Sequence, residues 1–203
     1  MLNTRSYKQP NRVVSVSHME EYDLHETDEF QPIMLALSHF IIQWNWVEHN
    51  FNVLLWHLGG DWQTGSVLSA GLGNQARSDA ILALARQKES RSDILEQIEH
   101  AVSAFGKLKS NRNSLVHSHS IYKNPNDIKP HWIRSSNNPK NIHVYCMADQ
   151  DDIIENIIGT KFLSERIIQL ILYYISDSEQ LPSFEKFQIP KVLVSIPIKI
   201  LES

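Results

Sequence analysis

From about Asp28 to Leu58 the apolar residues Leu37, Phe40, Ile41, Trp44, Val47, Phe51, Leu54, Leu55 and Leu58 recur at steps of three and four. That spacing predicts one long amphipathic helix, which Gly59-Gly60 then ends. Its apolar stripe is wide enough to bury against two other helices, so the chain is committed to a helical bundle.

Two more stretches carry the same period. From Ser92, residues Ile94, Ile98, Val102, Phe105 and Leu108 mark one face, widened by Leu95 and Ala101, with Ser92-Asp93 as the cap. From Asp151 to Ile175, residues Ile154, Ile157, Ile158, Phe162, Ile167, Leu170, Ile171 and Tyr174 predict a last long helix, with Gly159-Thr160 as an expected irregularity. Shorter helices are expected near Thr64 to Ala70 and from Ala76 to Gln87. The Gly71-Leu72-Gly73 between them reads as a helix terminus and turn. It lacks the preceding strand and the Gly-Lys-Ser/Thr of a phosphate loop. Trp44, Trp46, Trp56, Trp62 and Trp132 are read mostly as core, although Trp132, in the polar insertion, could instead stack on a base.

After His119 the pattern changes to short β-rich runs between turn clusters, Ser120 to Lys123, His131 to Arg134 and Ile142 to Cys146. The expected fold class is therefore all-α. It is a bundle of four to five helices with a small β-rich insertion at 120–147, after the second long-period stretch. Residues 1–27 form an unassigned N-terminal arm, 28–178 the helical domain, and 179–203 an extended tail in which Pro182, Pro190 and Pro197 forbid a helix.

One domain of 203 residues with 42% hydrophobic and 21% charged residues fits a soluble globular protein. The start lacks the apolar run of a signal peptide, and Ile167 to Ile175 is too short to cross a bilayer. A single cysteine, Cys146, allows no internal disulfide and no thiolate zinc cage, which suits a cytoplasmic setting with no membrane partner. The net charge of −4 argues against generalised nucleic-acid binding, but it is unevenly spread. From Lys107 to Lys140 seven basic residues face one aspartate, a net of +6; from Asp149 to Gln180 seven acidic residues face two basic ones, a net of −5. Ten histidines invite a metal reading. Only His117 and His119 with His131 or His143 could group, and no H-E-x-x-H or paired-cysteine pattern supports a metal site.

Within the basic stretch, Asn111-Arg112-Asn113-Ser114-Leu115-Val116-His117 closes the second long helix. Arg112 is the next position on the apolar stripe after Leu108. A guanidinium there costs several kcal/mol unless it is paired and hydrogen-bonded. Glu48, four residues after Trp44 at the edge of the first helix's apolar face, is the best internal candidate to pair with it. Asn113 and His117 share a face, whereas Arg112 lies about 140° round from His117 and needs its length to converge.

Arg112-Asn113-Ser114-Leu115-Val116-His117 resembles the R-x4-6-H motif of the HEPN superfamily (higher eukaryotes and prokaryotes nucleotide-binding domains). The polar residue after the arginine, Asn113, and the early long helix bearing Trp44 and Glu48 are similar to that family as well. The likeness covers about residues 28 to 178. It implies a metal-independent endoribonuclease that needs no cofactor and acts as a homodimer, with motifs from two subunits meeting in one cleft. On that reading His117 is general base or acid, Arg112 binds the phosphate, Asn113 orients His117 or the phosphate, and Glu48 holds Arg112 between turnovers. Lys109, His119, Lys123, Trp132 and Arg134 would contact RNA, with Trp132 stacking on a base. Many relatives are toxins or antiviral effectors, which implies an antitoxin or inhibitor protein as a further partner. The second reading is a non-catalytic homodimeric module of the same kind that binds nucleotide, RNA or protein.

Overall fold

The computed structural model describes residues 30–117, 119–121, 131–135, 143–176, 186–193 and 195–198. Among these residues five helices form in chain order: α1 (Phe30–Gly59), α2 (Trp62–Ala70), α3 (Asn74–Lys88), α4 (Ser92–Val116) and α5 (Gln150–Ser176). They make an all-α core. Among the described residues, no helix is long and apolar enough to cross a membrane. Four short strands, β1 (His119–Ile121), β2 (His131–Ser135), β3 (His143–Met147) and β4 (Ser195–Ile198), pair antiparallel in that order. β4 is an edge strand, where the missing N–H of Pro197 does least harm to the ladder. The predicted N-terminal arm lies outside the described residues.

α1 is the axis of the bundle. Its buried face runs Ile33, Leu37, Phe40, Trp44, Val47, Phe51, Leu54, Leu55 and Leu58, and Gly60 breaks the helix with a left-handed φ of 112°. Phe105 of α4 stacks on both Trp44 (centroids 5.0 Å apart) and Phe51 (4.1 Å), while Leu115 packs with Leu37 and Phe40. α4 therefore runs antiparallel to α1. α5 closes the other side, with Leu163, Ile167 and Leu170 in the same core and Asn50 Nδ2 donating to Ser164 Oγ at 2.9 Å. α2 lies so close to α1 that a Cβ on Gly65 would stand 2.6 Å from the Trp56 Cα.

A smaller apolar cluster sits at one end of the bundle. It joins Ile33, Leu37 and Phe40 of α1, Leu115 of α4, Trp132 of β2, Ala148, Ile153 of α5, and Leu193. This cluster seats the last turn of α4. The extended segment 186–193 crosses α5 to reach it, starting from an ion pair between Lys186 and Glu96. Phe187 packs against His100 and Phe162, and Pro190 covers Gly159.

Several expectations are corrected. Gly159-Thr160 does not interrupt α5, which is continuous. Gly159 is instead where the segment 186–193 approaches: a Cβ there would lie 2.6 Å from Pro190 Cγ. Trp46 and Trp62 are exposed, not core, and so are Ile154, Ile158 and Phe162 of α5.

Candidate functional site

The buried positions of α4 are Ile94, Ile98, Ala101, Ala104, Phe105, Leu108, Asn111, Ser114 and Leu115. A straight helix drifts about 20° per seven residues against a repeat of that length, so by the fourth turn the buried line has moved round. Asn111, not Arg112, occupies the stripe. Arg112 is left half-buried at its edge.

The end of α4 then brings the motif together. The helix stops at Val116, and His117 takes φ −94° and ψ 13°, a backbone region where turn residues and many active-site residues sit. Its N–H still reaches back to Asn113 O. This lets the imbalance of about 140° between positions 112 and 117 be closed by side-chain length. Arg112 Nη1 donates to Asn113 Oδ1 at 3.0 Å and meets His117 Nε2 at 3.2 Å. A guanidinium can only donate, so this contact is a hydrogen bond when Nε2 carries the lone pair and the neutral imidazole keeps its proton on Nδ1. His117 is exposed, while Arg112 Nε is buried and has no hydrogen-bond partner among the described residues.

The arrangement has two chemical capacities. An exposed neutral imidazole with an open edge can take or give a proton. A guanidinium held from one side, with a donor unsatisfied among the described residues, can donate to an anionic oxygen at modest reorganisation.

Asn111 braces this turn from beneath. Its Nδ2 donates to Asn156 Oδ1 at 2.7 Å and to Lys191 O at 2.8 Å, and its Oδ1 accepts from Leu193 N at 2.9 Å. Asn156 in turn donates to Asp152 O on α5. One fully buried amide thus ties α4, α5 and segment 186–193 together. Sequence reasoning passed over it; its signal was a polar residue at the drifted stripe position.

The other predicted residues distribute unevenly. Glu48 does not pair with Arg112 in the described structure. Its Oε1 accepts from Asn74 Nδ2 at 2.6 Å, and Asn74 Oδ1 accepts from Arg77 Nη1 at 3.1 Å. The reason is register. Glu48 lies between Trp44 and Phe51, which bracket Phe105, and Arg112 is seven residues further on, roughly 10 Å along the axis. Trp132 is core, as expected of most of the tryptophans, and the stacking reading is corrected: it is buried in the end cluster, with Nε1 donating to Ala148 O at 3.3 Å, and has no face free to stack on a base. Lys109 lies half-buried on α4, one turn before Arg112 and Asn113. His119 opens β1 and Arg134 lies in β2, with their side chains outside the described residues, as is all of Lys123. Among the described residues no group of three or more His, Cys, Asp or Glu side chains is placed to hold a metal ion.

No family model, no curated protein and no solved structure matches this chain.

Proposed function

We propose that the chain is a HEPN-like, metal-independent endoribonuclease that cleaves RNA by attack of a 2′-hydroxyl on the adjacent phosphate. The observation that carries this reading is the contact of Arg112 with His117 at the C-terminal end of α4, with Asn113 on the same guanidinium nitrogen. The chemistry asks for no more than these groups. RNA supplies its own nucleophile, a route closed to DNA. Once Arg112 Nη1 turns from it to the phosphate, His117 Nε2 takes the 2′-hydroxyl proton, and as imidazolium the ring returns one to the leaving 5′-oxygen. Arg112 turns its unsatisfied Nε–H to a non-bridging phosphate oxygen and stabilises the charge that grows there. Asn113 holds the guanidinium in place meanwhile.

Lys109 and the basic stretch that follows supply the sequence-independent attraction to the RNA backbone. RNA is the partner on this reading, and a homodimer with the site at or near its interface belongs to it. So does the biological role of a toxin or defence effector restrained by an inhibitor protein.

The test is purified protein incubated with total RNA in excess chelator, with wild type beside Arg112→Ala and His117→Ala. Wild type is expected to leave 2′,3′-cyclic phosphate ends, and each variant to lose about 10²- to 10⁴-fold in rate. Equal cleavage by all three proteins overturns the assignment of the site. RNA retained but never cut overturns the enzyme and leaves a binding module.

A further inference from the structure

Segment 186–193 is extended, and its reach is matched to a helix face. Phe187 rests edge-on against the ring of His100, with centroids 5.0 Å apart at 83°, and Asn111 holds the Lys191 carbonyl and the Leu193 N–H. His100 and Asn111 stand eleven residues apart on α4, which is three turns along one face and about 16 Å. Five residues of extended chain beyond Phe187 span about the same distance. The segment is a strap pinned to α4 near both ends, with Pro190 seated on Gly159 of α5 between the pins.

The pin at His100 is open to attack by a proton. Its Nε2 is buried and has no hydrogen-bond partner among the described residues. A proton added there finds no acceptor, and its charge meets Arg166 of α5, Lys186 of the strap and, with least effect, Lys107 of α4. Burial first, and then these cations, hold the imidazole below its ordinary value. The hydrogen bond with the Phe187 backbone opposes them without reversing the balance. The acidic groups on this side are Glu96, paired with Lys186, and Glu165, beside Arg166 at an open cleft. Lifting the strap carries Lys186 away and admits water to the ring, so it relieves both costs. Phe187 has room to lift, because it lines that cleft, of about 370 Å³, together with Phe162 and Arg166.

We propose that segment 186–193 is a pH-operated strap: a proton on His100 releases Phe187, and the release runs along the strap to Asn111 and loosens the turn that carries Arg112 and His117. Beyond Phe187 the hold consists of Pro190 on Gly159, the Asn111 amide and Leu193 in the end cluster. The released strap returns His100 to its ordinary value of about 6.5, whereas the docked strap holds it lower. Release therefore grows as pH falls through that value, by up to about tenfold between pH 7.5 and pH 5.5. That window lies above the reference range of carboxylates. The proposal stands on α4 and the strap and does not depend on the ribonuclease reading.

The experiment is hydrogen exchange of the full chain, read by mass spectrometry at pH 7.5 and pH 5.5 and corrected for the intrinsic pH dependence of exchange. Wild type, His100→Gln and Lys186→Gln are compared, with circular dichroism on each. Every measurement is repeated in about 1 M urea, which promotes global unfolding and leaves a small local opening nearly unchanged. In wild type, peptides from 186–193 are expected to exchange faster than those of α1, to ignore the urea, and to quicken by up to about tenfold in acid. The end of α4 from Lys109 to His117 follows them. His100→Gln abolishes the acid response. Lys186→Gln, at an exposed position, takes one cation from the ring and leaves a smaller response. Exchange of 186–193 at the rate and urea dependence of α1, an acid response that survives in folded His100→Gln, or a strap that opens in acid without the end of α4, overturns the proposal. Should His100→Gln lose helicity, Lys186→Gln decides, and a response as large as that of wild type is the overturning result.

Discussion

Replacing Asn111 tests the brace beneath the motif. Asn111→Ala removes one acceptor and two donated hydrogen bonds, stranding Leu193 N–H, Asn156 Oδ1 and Lys191 O. A buried polar group left without its partner costs about 1–3 kcal/mol. Lys191 is exposed, so its carbonyl recovers water, and two of the three groups carry the full cost. The sum is about 2–6 kcal/mol, and release of segment 186–193 to solvent draws it toward the lower half. About 3 kcal/mol is a large part of a typical domain's 5–15 kcal/mol. Asn111→Asp is the sharper probe because it is isosteric. It keeps the acceptor for Leu193 N–H but sets a carboxylate oxygen against Asn156 Oδ1 and Lys191 O. Those two carbonyls favour the protonated acid, so the introduced group's folded pKa lies above the ordinary carboxylate value. Its stability deficit is then smallest in acid and grows as pH rises through the folded pKa. Urea denaturation at pH 4 and pH 7, with hydrogen exchange at the Leu193 amide, measures both effects. If Asn111→Ala stays within about 0.5 kcal/mol of wild type, and Leu193 keeps its protection, the amide is not the brace described.

Gly65→Ala gains up to about 1 kcal/mol of helix propensity but drives a methyl into the Trp56 backbone, and overpacking of this kind costs about 1–3 kcal/mol, so thermal denaturation should show a net loss. Gly159→Ala meets the Pro190 ring instead, and segment 186–193 can shift; its expected signature is faster limited proteolysis at 186–193 with smaller loss of global stability. His100 is held below the ordinary imidazole pKa, first by burial and then by Arg166 and Lys186. The unfolded chain therefore binds the proton more readily, and stability is lost as pH falls below about 6.5; His100→Gln should flatten that limb of a denaturation-versus-pH curve.

The helices were legible because each long one repeats its apolar residues over many turns, and Gly59-Gly60 announced the end of α1 through the φ that Gly60 adopts. The approach of Arg112 to His117 was legible only as a possibility of reach. Its realisation depends on α4 ending at Val116, which follows from the end cluster around Leu115 and Trp132 rather than from any local breaker. Glu48 was misassigned because sequence spacing gives a residue's face but not its height against another helix. That height is set by Phe105 stacking between Trp44 and Phe51. Asn111 was hidden by angular drift too small to notice over one turn and decisive over four. β4 was hidden because a strand that ends in a tail, with Pro197 in it, pairs through a neighbour nearly fifty residues earlier in the chain.

The loss of Glu48 as a counter-ion changes what is asked of Arg112. Among the described residues its two acceptors, Asn113 Oδ1 and His117 Nε2, are neutral groups, and neither offsets the guanidinium charge. A resident carboxylate would compete with a phosphate for the same donors, and its displacement would subtract from binding. A neutral clamp does not compete. It fixes the guanidinium through Nη1 and leaves the charge to an incoming anion. Introducing the missing carboxylate is therefore informative: Asn113→Asp keeps an oxygen near Nη1 but adds the negative charge. On the proposed chemistry this variant should bind RNA more weakly and lose at least as much cleavage as Asn113→Ala, although its Arg112 is better paired. Filter binding and chelator-resistant cleavage read the two quantities separately. Cleavage by Asn113→Asp at the wild-type rate would mean that the guanidinium charge is not what meets the phosphate.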